Sequence, residues 1–90
     1  MKMIDWNNEK NEILKKERNI SFETISEKIL SKDIIDVIKH SNQTKYPNQK
    51  ILIIEVNRYV YYVPFVEDED KMFLKTIIPS RKATKKYLGK

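Results

Sequence analysis

KILIIEVNRYVYYVPFV, residues 50–66, decides the fold. Lys50–Val56 and Tyr59–Val66 are the strongest strands in the chain, because β-branched and aromatic side chains fit a pleated, half-buried surface. Asn57-Arg58 is a two-residue connection between them, and Asn is the usual non-glycine residue that accepts positive φ. Pro64 belongs where its missing amide faces away from a ladder, or at a bulge. Ile51, Ile53, Tyr59, Tyr61, Val63 and Phe65 are candidates for one face of their strands. Leu52, Ile54, Val60 and Tyr62 are nearly as apolar, so this hairpin asks for cover on both sides, and part of that cover can come from a partner protein.

Working toward the N-terminus, His40–Gln49 is the longest loop and Ile34–Lys39 is β-branched enough for a strand. Ser21 is placed to cap a helix with Phe22, Ile25, Ile29 and Leu30 on its buried side. Asn19 suits the left-handed residue that ends a preceding helix, which Asn7 caps and which runs to about Arg18. Ile13 and Leu14 form its clear buried pair, and its remaining residues are mostly charged. Lys2–Trp6 can form an edge strand, with Trp6 as a core or staple residue. Two helices joined by a short turn must cover one face of an antiparallel sheet, since little else in the chain could bury it.

Toward the C-terminus, Glu67–Asp70 reads as a solvated four-acid hairpin end, with a surface for a basic partner as the second reading. Phe73–Ile78 is a strand that Pro79 stops. Ser80 then stands at a helix N-cap position. At 100° per residue, Arg81, Lys82, Lys85 and Lys86 fill one continuous arc, and Ala83 and Tyr87 share the opposite one. Two cations in a first turn oppose the helix macrodipole, by roughly 0.3–1 kcal/mol each, and a docked anion would reverse that sign. A solvated basic tail is the competing reading.

Ninety residues make a single domain, 1–90, with one modest core. The formal charge of +5 is unevenly spread: residues 71–90 carry seven Lys and Arg and no acid, whereas residues 1–70 carry 11 against 13 Asp and Glu. A basic end on a near-neutral body suits a phosphate backbone. With no cysteine, one histidine and one glycine, the chain excludes disulfides, thiolate metal sites, paired-imidazole catalysis and glycine-rich phosphate loops. We expect no metal and no cofactor. No apolar run is long enough to span a membrane, and the start lacks a leader-type apolar region, so the expectation is a soluble cytoplasmic protein without a membrane partner.

Three segments carry a family resemblance: Trp6-Asn7-Asn8-Glu9-Lys10, Glu17-Arg18-Asn19-Ile20-Ser21-Phe22-Glu23 and Ile78-Pro79-Ser80-Arg81-Lys82-Ala83-Thr84. Their order and spacing resemble the BrnT family of toxin–antitoxin ribonucleases, within the RelE/ParE superfamily. The pattern spans nearly the whole chain. Arg18 stands where the family has histidine, Asn19 where it has glycine, and Pro79-Ser80 where it has Ser-Ala. Near the entry to the central strand, where the family often has arginine, this chain offers Lys50. The resemblance implies an α+β, RelE-like fold: two N-terminal helices on a mainly antiparallel four- to five-stranded sheet, with a short basic C-terminal helix.

It also implies a chemistry. RNA is cleaved when its 2′-hydroxyl attacks the adjacent phosphate, leaving a cyclic phosphate and a free 5′-hydroxyl. That needs alignment and neutralised phosphorane oxygens rather than a metal. On this reading Arg81 takes the reacting phosphate, because its planar fork bonds two oxygens at once, with Lys75 and Lys50 as further catalytic cations. Lys82 and Lys85 hold flanking phosphates. Arg18 contributes charge but is no general base, because it stays protonated. His40 is a loop histidine or a catalyst, and Tyr46 a base-stacking residue; Tyr87 fits the core better than a base stack. The implied partners are RNA, with or without the ribosome, and a ribbon-helix-helix antitoxin in a hetero-oligomer. The alternative is a catalytically inactive module of the same fold that binds nucleic acid or an antitoxin.

Overall fold

A computed structural model describes residues 2–39, 42, 44–45 and 48–89. The elements run β1 (Met3–Trp6), α1 (Asn8–Arg18), α2 (Phe22–Leu30), β2 (Asp36–Lys39), β3 (Gln49–Val56), β4 (Tyr59–Glu67), β5 (Lys71–Leu74), β6 (Ile78–Pro79) and α3 (Arg81–Leu88). The architecture is α+β, with α1 and α2 on one face of a mixed six-stranded sheet and α3 on the other. The sheet order is β1-β5-β4-β3-β2, with β6 sharing the β4 edge with β5. Every pairing is antiparallel except β1 with β5. No described helix is long and apolar enough to cross a membrane.

The hairpin forms as its sequence demands. Asn57 (φ 53°) and Arg58 (φ 64°) both take the left-handed conformation, which matches the turn to the twist of its strands. The register places Leu52 opposite Val63 and Ile54 opposite Tyr61, and these side chains face α1 and α2 with Val56 and Phe65. The alternate set, Ile53, Val60 and Tyr62, faces α3. The second cover for that end of the sheet is therefore the chain's own C-terminal helix. Beyond it on the same face, Ile51, Val66 and Phe73 are half-buried and Ile38 is exposed.

Local hydrogen bonds set the helix boundaries. The Asn7 side chain accepts from the Lys10 amide, Ser21 from Thr24 and Ser80 from Ala83. Asn19 closes α1 in the left-handed region at φ 52°. Trp6 stacks on Phe22, ring centroids 5.8 Å apart, at the point where β1 passes into α1.

Several expectations are corrected. Leu14 is buried, but its neighbour Ile13 is 52% exposed, and the second buried residue of α1 is Asn11. Asn11 accepts from the Phe22 amide (2.8 Å) and donates to Glu23 Oε1 (2.7 Å), so a polar side chain ties the two helices together. Leu30, the last residue of α2, is 56% exposed. The strand expected over Ile34–Lys39 covers only Asp36–Lys39, an exposed edge. Phe73–Ile78 is not one strand: Lys75–Ile77 breaks it, and Pro79 pairs with Tyr61 rather than ending the ladder. Its missing amide is tolerated because β6 is an edge.

Candidate nucleic-acid interface

The basic C-terminal helix is attached to the sheet by one main-chain amide and one hydroxyl. A two-residue hairpin leaves the main-chain groups of Val60 pointing away from β3. The Val60 carbonyl accepts from the Ser80 amide at 3.0 Å. Its amide donates to Thr84 Oγ1 at 2.9 Å, and that hydroxyl donates onward to the Ser80 carbonyl at 2.8 Å. Ala83 packs against Ile53 and Val60 beneath this network, flanked by Tyr87 and Leu88. Thr84 is buried, and its hydroxyl is fully satisfied. Sequence reasoning gave it no role of its own; the signals were its place at the end of the segment 78–84 and its position next to Ala83 on the buried arc.

With Ala83 and Thr84 inward, Arg81, Lys82, Lys85 and Lys86 lie outward, all exposed. Lys86 sits 5.3 Å from the centroid of the Tyr87 ring. Among the described residues none of these four cations forms an ion pair with a carboxylate. Lys2, Lys15, Lys28, Lys50 and Lys71 are paired, whereas Lys10, Lys16, Lys32, Lys39 and Lys75 are not paired among the described residues, so what distinguishes α3 is that its unpaired cations are gathered on one helix. Arg81 and Lys85, four residues apart, are neighbours along the exposed arc, about 5–6 Å apart at their Cβ atoms. Such a row presents positive charge without local compensation, as a flexible polyanion requires.

The other predicted cations lie elsewhere. Lys50 stands opposite Phe65, whereas the α3 attachment grips Val60, so about 17 Å of strand separates them. Lys50 is also engaged: it bonds Glu67 at 3.4 Å, and Lys2 bonds the same carboxylate at 2.8 Å. These residues line a cleft of about 480 Å³ with Lys39, Asp68 and Glu69. The hydrogen bond from Lys2, reinforced by Lys50, holds the Glu67 carboxyl below its ordinary value of 4.5 against the opposing effect of burial. Three lysines facing three acids make a balanced cleft rather than a phosphate site.

Lys75 is exposed, and its amide donates to the Pro64 carbonyl at 2.8 Å, which places it between the other two along β4. Arg18 is committed to structure, since its Nη1 donates to the Ile77 carbonyl at 2.7 Å and pins the end of α1 to the β5–β6 connection. The structure thus brings Arg81, Lys82 and Lys85 together and leaves Lys50, Lys75 and Arg18 outside that group. His40 and Tyr46 lie outside the described residues. At the β4–β5 turn, Asp68 Oδ1 accepts from the amides of Asp70 and Lys71, so this member of the acidic run shapes the turn. No family model matches the chain, and no curated protein or solved structure matches it either.

Proposed function

We propose that this chain is an RNA-binding protein of RelE-like architecture, in the toxin class its sequence resembles, and that α3 carries the contact. The observation that supports this reading most is the arc of Arg81, Lys82, Lys85 and Lys86, four exposed cations within one anchored helix that form no ion pair among the described residues. Each phosphate neutralised on a single strand releases counterions, so affinity falls with salt by about 0.7 log units per log unit and per contact. Combined Lys82→Ala and Lys85→Ala should flatten that slope by roughly 1.4. Fluorescence anisotropy of a labelled single-stranded RNA, titrated at several salt concentrations, provides the test. Salt-independent binding, or none at low salt, refutes the reading.

Cleavage is the second reading, and Arg81 is its support. The guanidinium is exposed and free of carboxylate partners among the described residues, so it is available to spread charge from a pentavalent phosphate. Lys50 and Arg18 are already bonded within the fold, which leaves α3 and the exposed Lys75 to stabilise the reaction. If the chain cleaves RNA, its expression arrests growth and Arg81→Ala relieves the arrest at equal soluble level. Arg81→Lys should also be impaired, since a point charge does not replace a bidentate fork. Arg81→Ala as toxic as wild type eliminates cleavage by this residue while leaving RNA binding to its own test. An antitoxin of the ribbon-helix-helix kind would cover the half-exposed strip of Ile38, Ile51, Val66 and Phe73 beside α3.

A further inference from the structure

The β3–β4 turn contains a second unpaired cation close to α3. Arg58 occupies the second central position of a turn in which both central residues have positive φ, and its φ is 64°. Glycine is the ordinary residue there, because a Cβ in the left-handed region crowds the following carbonyl. Lys32 also has positive φ (59°), but it follows the C-cap of α2, where the Asp33 amide bonds back to Lys28 and the Lys32 amide to Ile29. That left-handed residue is part of a helix-ending motif. Conformation alone therefore does not single out Arg58; its position does.

Val60, two residues further on, is the residue that Ser80 and Thr84 grip. Two strand residues span about 7 Å, so the Arg58 backbone lies within an arginine side chain's length of the α3 attachment. Arg58 is exposed and makes no ion pair among the described residues. Glu55, opposite Val60 and half-buried, is the carboxylate on that side of the β3–β4 hairpin, and it is unpaired too. With four cations on α3 within two turns, one such acid leaves the surface strongly positive.

We infer that Arg58 is a further phosphate contact, extending the α3 surface onto the β3–β4 turn, so that a single RNA strand crosses from the turn to the helix. This rests on the RNA-binding reading above. A residue kept for contact in a conformation that suits glycine makes an unusual prediction: its replacement by glycine improves the fold and weakens the function. Arg58→Gly should raise Tm by roughly 4–8 °C. It should also lower affinity for a single-stranded RNA oligonucleotide several-fold and flatten the salt slope by about 0.7. Arg58→Lys should keep the wild-type slope.

Anisotropy titrations of wild type, Arg58→Gly and Arg58→Lys, with thermal melts of each, decide the matter. If wild type binds and Arg58→Gly binds with the same affinity and slope, the assignment of Arg58 is overturned while the α3 reading stands. A fall in both Tm and affinity would mark a folding effect and overturn it equally. If the wild-type chain binds no RNA, the RNA-binding reading fails and this contact fails with it.

Discussion

Thr84→Val isolates the attachment of the basic helix. Valine keeps the size and branching of threonine, so the change removes one hydroxyl and leaves no cavity. The Thr84 hydroxyl accepts from the Val60 amide at 2.9 Å, and Val60 is fully buried. An amide stranded in such a place costs about 1–3 kcal/mol. The hydroxyl's other bond, to the Ser80 carbonyl, is partly redundant because the Thr84 amide also donates there at 3.0 Å. We therefore expect a loss of about 2 kcal/mol, which for a domain of this size lowers Tm by roughly 8–16 °C. Thermal and urea melts monitored by circular dichroism measure it, with hydrogen exchange showing faster exchange over residues 80–88. Thr84→Ser keeps the hydroxyl and gives up one methyl, so it should lose only about 0.8 kcal/mol. A Thr84→Val variant within 0.5 kcal/mol of wild type, or a Thr84→Ser variant as unstable as it, would show that the hydroxyl does not hold α3 to the sheet.

Two further changes test the body of the fold. Asn11→Ala strands the Phe22 amide and removes a donor to Glu23, so chemical denaturation should show a loss of about 1–3 kcal/mol; Asn11→Leu should not restore it. Glu67 has its carboxyl pKa lowered in the folded state, first by the Lys2 hydrogen bond, so its stabilisation is present above the unfolded value and lost as pH falls through the folded one. Glu67→Gln should lower stability by about 0.5–1 kcal/mol at pH 7, and the difference from wild type should shrink as pH drops below about 4.5; a difference constant down to pH 2 would exclude the ion pairs as its source.

What could be read from the sequence was what neighbouring residues decide. Asn7, Ser21 and Ser80 cap helices through bonds three residues long, and Asn19 and Asn57 take the left-handed conformation because their own side chains allow it. The α3 arc was legible for the same reason, since angle along a helix follows from spacing alone. Legibility failed where a partner distant in sequence decides. Helical periodicity allows either Ile13 or Asn11 beside Leu14, and the α2 terminus selected Asn11 by offering it an amide and a carboxylate. Lys50 and Arg18 look like free cations until Glu67 and the Ile77 carbonyl, far along the chain, claim them. From the sequence Arg58 is only half of a turn. Its conformation and its closeness to α3 emerge once Val60 is seen gripped from the other end of the chain.

The parallel pairing of β1 with β5 bears on how the chain reaches this structure. Met3–Trp6 finds its hydrogen-bond partners at Lys71–Leu74, nearly the whole length of the molecule away. Closing a loop of that span has an entropic penalty that rises with the logarithm of its length, and it must be met before the contact returns anything. The β3–β4 hairpin, by contrast, closes over two residues. Folding should therefore begin at the hairpin and seat β1 last, against a β5 already laid on β4. High contact order of this kind slows folding relative to a helical bundle of equal size. Until β1 docks, the β5 edge and the Phe22 ring that Trp6 covers stay open, so the slowest step of folding is also the one that closes an edge prone to aggregation.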